Sequence, residues 1–248
     1  MLQESGSASV LDPLAPIAPQ LFRALRDRII HNDLPPSSRI SETEIAREFG
    51  ISRQPVREAF IKLAGEDLLA ILPQRGTVVR KIRYEAVLDA RFLREAIESD
   101  IVRILASTPN ETWLTKLREQ IEEQRAAMDG RPEDFFALDD RFHRTLAAAA
   151  GKKGAWRLIE GLKSQMDRVR FLSLVHFPVP NLVRQHEAIV EHIAKADVAG
   201  AEKCVREHLR EVLNDLPKIA ASVPGFFEMP DGDAPRPVNV NIQGGDDQ

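Results

Sequence analysis

At 248 residues, with 43% of positions hydrophobic and 6% aromatic, the chain can fill one large core or two ordinary ones, and two domains are expected. The 29% of charged residues favours helices with solvated faces over a β-sandwich, and a lone cysteine, Cys204, excludes an internal disulfide and fits a reducing compartment. No apolar run nears the roughly 18 residues of a membrane span, and no basic start precedes an apolar block, so a soluble, cytoplasmic protein is expected.

The formal charge of −4 is unevenly spread. Residues 20–83 carry 12 basic and 8 acidic side chains, which leaves 22 basic and 30 acidic for the rest. A basic module joined to an acidic one is the asymmetry expected when one part meets a polyanion. Residues 1–15, rich in Ser, Ala and Pro and without periodicity, read as a flexible arm. From Pro16, the spacing of Leu21, Leu25 and Ile29 predicts an amphipathic helix that ends near His31, before Pro35-Pro36. Ser41-Glu42-Thr43-Glu44 is a capping box that opens a short helix, and Gly50 supplies the turn that ends it.

The next helix has Ser52 as its N-cap, Pro55 in its first turn, and Val56, Ala59, Phe60 and Leu63 as its core stripe. Arg53 and Arg57, one turn apart, lie beside that stripe, so their guanidinium groups leave in one direction, toward phosphate or a guanine edge. Two short helices across a tight Gly turn have helix-turn-helix spacing. Residues 69–72 and 77–79 are β-prone runs around Pro73-Gln74-Arg75-Gly76, a hairpin with a basic tip that forms a wing. The stretch "ISRQPVREAF…L…GEDLL…PQRGTVV" resembles the winged helix-turn-helix of GntR-family bacterial regulators. The resemblance implies that Ser52, Arg53, Gln54, Arg57 and Gly76 contact operator DNA. Gln54 stands where Thr is common in the family, and Thr43 where some members carry a contacting Arg, so base preference does not carry over.

From Tyr84 the pattern is helical in runs of 84–107, 110–129, 133–150, 153–176, 180–195 and 198–222, separated by Pro, Gly and Asn breaks. The fold class expected is therefore mostly α. A winged helix-turn-helix of three helices and a small hairpin over 16–80 precedes an all-α antiparallel bundle over 84–222. Residues 223–248 lose periodicity and read as a disordered tail, with Phe226-Phe227 as a segment that could dock on the bundle.

Three histidines fall on core stripes of different helices. Asp139 and His143 share a face with Phe136 and Ala147. His186 lies in the run Leu182, His186, Ile189, Ile193, and His208 in Ala201, Val205, His208, Val212. Singly, each is a core histidine bonded to a carbonyl; together they are four buried polar groups that need a common partner. Three nitrogens and one oxygen suit a divalent metal ion, zinc first, with nickel, iron or manganese also admitted. His31, His176 and His192 fall near helix ends or off the stripes and are left out. The segments "LDDRFH", "QHEAI" and "REHL" resemble the FCD effector domain of FadR-type GntR regulators. That resemblance maps the family's metal ligands onto Asp139, His143, His186 and His208, and prefers Asp139 to its neighbour Asp140.

Arg91, Arg94 and Glu98 interrupt the stripe Val87, Ile101, Leu105, and Arg94 to Glu98 matches an Arg-x-x-[Leu/Ile]-Glu pattern of the family. Domains of this type generally bind small organic acids, which makes Arg94, then Arg91, the candidate effector residues; the alternative is an intrahelical Arg–Glu ion pair. The expected protein is a homodimeric, ligand-responsive regulator, a repressor in the first reading. It would bind a palindromic double-stranded operator, a divalent metal and a small carboxylate metabolite, without catalysis. The rival is a metal-dependent enzyme with a site of three histidines and one aspartate in a helical bundle; it would want a separate general base, for which Glu98 is the one inward candidate.

Overall fold

The computed structural model describes residues 11–128, 130–174 and 179–232. The chain divides into two compact units, 1–82 and 83–248. In the first, α1 (Ile17–Ile30) buries Leu21, Leu25, Ile29 and Ile30, the face its spacing predicts. It packs on α3 (Arg53–Gly65), which also packs on α2 (Glu42–Glu48). Ser41 caps α2 by accepting from the Glu44 N–H at 3.1 Å. Gly50, at φ 64, allows the Ile51 N–H to reach back to the Ala46 carbonyl, which closes the turn into α3.

Ser52 occupies the N-cap of α3 in extended conformation, but its side chain makes no capping bond, contrary to the sequence expectation. Val56, Ala59, Phe60 and Leu63 are all buried, as the spacing requires. The wing pairs β2 (Leu69–Leu72) antiparallel with β3 (Gly76–Val79), with Leu72 opposite Gly76 at φ 88. A strand missed from the sequence, β1 (Arg39–Ile40), pairs with the other edge of β3, so the sheet order is β1-β3-β2. Two residues are too few to show alternation.

In the second unit, α4 (Tyr84–Ser107) packs on α10 (Val198–Ser222), α9 (Val179–Ala194) and α8 (Ser164–Leu174). The helix α5 (Glu111–Ala126) packs on α9 and on α6 (Pro132–Ala149), which in turn meets α7 (Lys153–Leu162). The predicted run 153–176 is thus two helices divided at Lys163; residues 175–178, among them His176, lie outside the described residues. Ile101, Val102, Leu114, Leu117, Phe135, Phe142, Leu146, Ile189, Ile193, Ala201 and Val205 form the common core.

Past α10, residues 224–228 are structured, around the Phe226-Phe227 segment that the sequence sets apart from the tail. Pro224–Phe226 is a 3-10 turn, and Phe227–Glu228 is a short strand, β5, with Phe227 buried. It forms a second, two-stranded sheet with β4 (Ile82–Arg83). Most of the expected N-terminal arm, residues 1–10, and residues 233–248 lie outside the described residues.

Candidate metal centre and recognition helix

On α3, Ser52, Arg53, Gln54 and Arg57 are exposed, as is Gly76 in the wing. Burial of the Val56–Phe60 stripe leaves this face outward. Arg53 is held by Glu42 at 3.0 Å, and Gln54 donates to Glu58 at 3.0 Å. Arg57 has no ion-pair partner among the described residues. The face therefore presents one free and one tethered guanidinium at the start of a helix.

In the helical unit, α6 contributes Asp139 and His143, α9 contributes His186 and α10 contributes His208. All four are buried, and they offer ligand atoms within 4.8 Å of one another. His143 Nε2 lies 3.1 Å from His208 Nε2, which lies 3.3 Å from His186 Nε2. Asp139 Oδ1 is 3.6 Å from His186 Nε2, and Oδ2 is 4.0 Å from His143 Nε2. Donors about 2.0–2.1 Å from a common metal in tetrahedral array stand roughly 3.3 Å apart. The His143–His208 and His208–His186 separations match that spacing, and the Asp139 oxygens lie somewhat further out. Asp140, the rival carboxylate, faces Lys163 at 2.7 Å and Arg144 at 2.8 Å instead.

The far side of each imidazole decides where its proton sits. His186 Nδ1 meets Gln124 Oε1 at 2.8 Å, and His208 Nδ1 meets Gln185 Oε1 at 2.8 Å. Each amide is oriented by its other end: Gln124 donates to the Leu138 carbonyl at 3.4 Å, and Gln185 donates to Glu211. The oxygens therefore face the rings, and each ring must donate from Nδ1. His143 Nδ1 lies 2.5 Å from Glu98 Oε2. Burial would raise the Glu98 carboxyl, but the Arg94 guanidinium and His143 outweigh it and hold the group at about 2. An ionised carboxylate at that distance calls for a proton on Nδ1 here too.

Burial pushes His186 down to about 3 against the attraction of Asp139, and pushes His208 well below its ordinary value. These two rings are neutral, with their single N–H turned outward. The Nε2 lone pairs of His186 and His208 then face one another with no proton between them, beside His143 Nε2 and a carboxylate. Burial would raise Asp139, yet the Arg170 guanidinium beside it holds it well below the carboxylate range. Neither Asp139 oxygen accepts an aligned hydrogen bond. Converging unshared electron pairs and a buried carboxylate without an aligned hydrogen bond are what a cation would satisfy, so the residues present fit a metal ion.

The two candidate effector arginines are both internal. Arg94 is paired with Glu98, and Arg91 with Glu95, each one turn along α4, and all four side chains are buried. Glu95 also takes Arg206 at 2.9 Å and Arg210 at 2.5 Å from α10. The intrahelical ion pairs weighed from the sequence are thus present; Arg94 is hydrogen-bonded to Glu98 and feels the charge of Asp139 without an ion pair to it. Among the histidines left out, His192 pairs with Asp197 at 2.7 Å at the α9–α10 turn. Sequence reasoning missed Gln124, Gln185 and Arg170. For Gln124 a signal existed: it continues the buried series Leu114, Leu117, Ile121 on α5.

Family models match both units. The model of bacterial regulatory proteins of the gntR family matches residues 17–79, and that of the FCD domain matches residues 89–211. The chain belongs to the GntR family. It is 40% identical to the HTH-type transcriptional repressor RspR of Escherichia coli K12, over 88% of this chain and 96% of that one. It is 34% identical to an uncharacterized HTH-type transcriptional regulator in an unstable DNA locus of Streptomyces ambofaciens, over 84% and 88% of the two chains. Among solved structures, E. coli McbR/YncC superposes with a TM-score of 0.72 at 18% identity, covering 82% of this chain and 98% of that one. A putative GntR regulator from Rhodococcus sp. RHA1 gives 0.64 at 21% identity, covering 83% and 98%. These two likenesses show the fold. The chain is a GntR-type DNA-binding transcriptional regulator with an FCD domain, and not an enzyme. Among the described residues, no helix is long and apolar enough to cross a membrane.

Proposed function

We propose that this GntR regulator is a homodimeric, cytoplasmic repressor whose helical domain carries a divalent metal on Asp139, His143, His186 and His208 and senses a small carboxylate there. The observation that carries the metal reading is the convergence of three Nε2 atoms whose Nδ1 partners are already assigned. Nitrogen and carboxylate donors admit zinc first, then nickel, iron or manganese. A bound metal would supply a Lewis-acidic position for one oxygen of an acid.

In this reading Ser52, Arg53, Gln54, Arg57 and Gly76 touch a palindromic operator, and acid binding lowers operator affinity by favouring one arrangement of the helical domain over another. Repression is supported by the name of the 40% identical E. coli relative. Elemental analysis of the purified full chain tests the metal. About one metal ion per chain is expected, falling to a small fraction in His186→Ala and His208→Ala; stoichiometric metal in both variants would remove these residues from the ligand set.

A further inference from the structure

We infer that Arg170, rather than Arg94 or Arg91, is the side chain that takes the acid's carboxylate beside the metal. The inference rests on the reading of the metal centre above. The Arg170 Nη2 atom lies 2.6 Å from Asp139 Oδ2, and its side chain keeps 14% exposure where Asp139 has none. It stands at the edge of the centre with a route to solvent. Its guanidinium carbon sits 5.3 Å from the centroid of the Phe136 ring, one turn before Asp139 on α6, which limits the directions the group can take.

The neighbouring cations are committed to carboxylates that are not candidate ligands. Arg94 is paired with Glu98, and that carboxylate serves His143; turning Arg94 to an incoming acid would strand Glu98 in a buried position. Arg91 belongs to the Glu95 cluster with Arg206 and Arg210. Lys163 faces Asp140 and Asp167, each at 2.7 Å. Arg170 alone among these has as its anion a group that a metal would claim. Its contact with Asp139 is one of charge without an aligned hydrogen bond, so the guanidinium has donors to offer elsewhere.

The consequence is an exchange of partners. In the metal-free chain Arg170 balances Asp139. Once the metal ion balances that carboxylate, the guanidinium is left next to a centre of net positive charge, and an anion is the group that completes it. A carboxylate with one oxygen toward the metal has its second oxygen free for the planar N–H fork of an arginine. The ligand class is therefore a carboxylic acid recognised at its acid group, with the remainder of the molecule selected by other contacts.

The test uses the full-length zinc-loaded chain with acetate as probe, titrated by calorimetry at constant ionic strength, beside zinc affinity measured by chelator competition. Arg170→Ala is expected to weaken acetate binding by about tenfold or more, while zinc affinity stays equal or rises because a competitor for Asp139 has gone. If both proteins hold zinc and acetate affinity changes less than twofold, Arg170 is not the carboxylate partner. Weaker zinc binding with unchanged acetate binding would make it a positioning residue for Asp139 and overturn the inference equally. Failure of the wild type to take up zinc, nickel, iron or manganese would remove the centre itself, and the inference with it. Should the alanine variant not fold, Arg170→Lys decides: a loss of about threefold or more supports the assignment, and a smaller one overturns it.

Discussion

The winged unit and the helical unit treat their interiors in opposite ways. Among the described residues of the first, Thr77 is the one buried polar side chain; in the second, nineteen polar or charged side chains are buried, among them Arg91, Arg94, Glu95, Glu98, Asp139, His143, His186 and His208. The first unit keeps Arg53 and Arg57 on the surface of an apolar core. The second places its charges inside, where each requires a partner to offset desolvation. A scaffold that grips an extended polyanion needs only a rigid helix with cations outside. One that discriminates a small ligand must surround it, and so it accepts a polar interior.

The contrast predicts different failures. In the winged unit the largest effect should come from core truncation: Phe60, 1% exposed on α3, belongs to the apolar core that also holds Leu21, Leu25 and Ile29 of α1, and Phe60→Ala should lower stability by about 3–5 kcal/mol in urea unfolding. Operator binding should fall with it, because the stripe that orients Arg53 and Arg57 is lost. A change under about 1 kcal/mol would mean that the apolar core does not hold the recognition helix.

In the helical unit, pH should do what truncation does in the other. His186 titrates at about 3 when folded, against an ordinary value of 6.5, because burial disfavours its charged form. Between these values the unfolded chain binds a proton that the folded chain refuses. Stability is therefore complete above about pH 6.5 and is lost progressively as pH falls toward 3. For the metal-free protein, unfolding at pH 7.5 and pH 5 should differ by on the order of 2 kcal/mol from this group, and His186→Gln should flatten that dependence. A pH profile identical in variant and wild type would show that the imidazole is not held neutral.

The same contrast governs what could be read from the sequence. The apolar stripes of α1, α3 and α9, and the positions of Asp139, His143, His186 and His208 on core faces, follow from spacing, since a polar residue inside an apolar period is conspicuous. The partners that orient them are harder. Gln185 lies off the apolar stripe of α9, and Arg170 sits on α8, which shows little periodicity; both become meaningful only once α8, α9 and α10 are packed together. The break at Lys163 escaped for a related reason: α7 and α8 are separated by one residue that is neither Gly nor Pro, and the nearest breaker, Gly161, lies inside the last turn of α7. Ser52 shows the converse, a favourable cap residue whose side chain is not used as a cap.

The smallest expected effects lie on the recognition face, where charge is exposed and screened. Arg57→Ala should cost operator binding about 1–3 kcal/mol if it reads a base, or flatten the salt dependence by about one unit if it meets phosphate, with protein stability changed by less than about 0.5 kcal/mol. Arg53 differs because Glu42 already holds it, in a pair with 66% and 29% side-chain exposure. Such a pair contributes about 0–1 kcal/mol to folding, so Glu42→Gln should leave stability nearly unchanged. Its effect on DNA should have the opposite sign to that of Arg57→Ala: removing a carboxylate beside the face both frees Arg53 and lifts a repulsion toward phosphate, and operator affinity at low salt should rise. Unchanged or weaker binding by Glu42→Gln would instead assign the pair to presenting Arg53 in a fixed geometry, with the carboxylate as part of the grip on DNA.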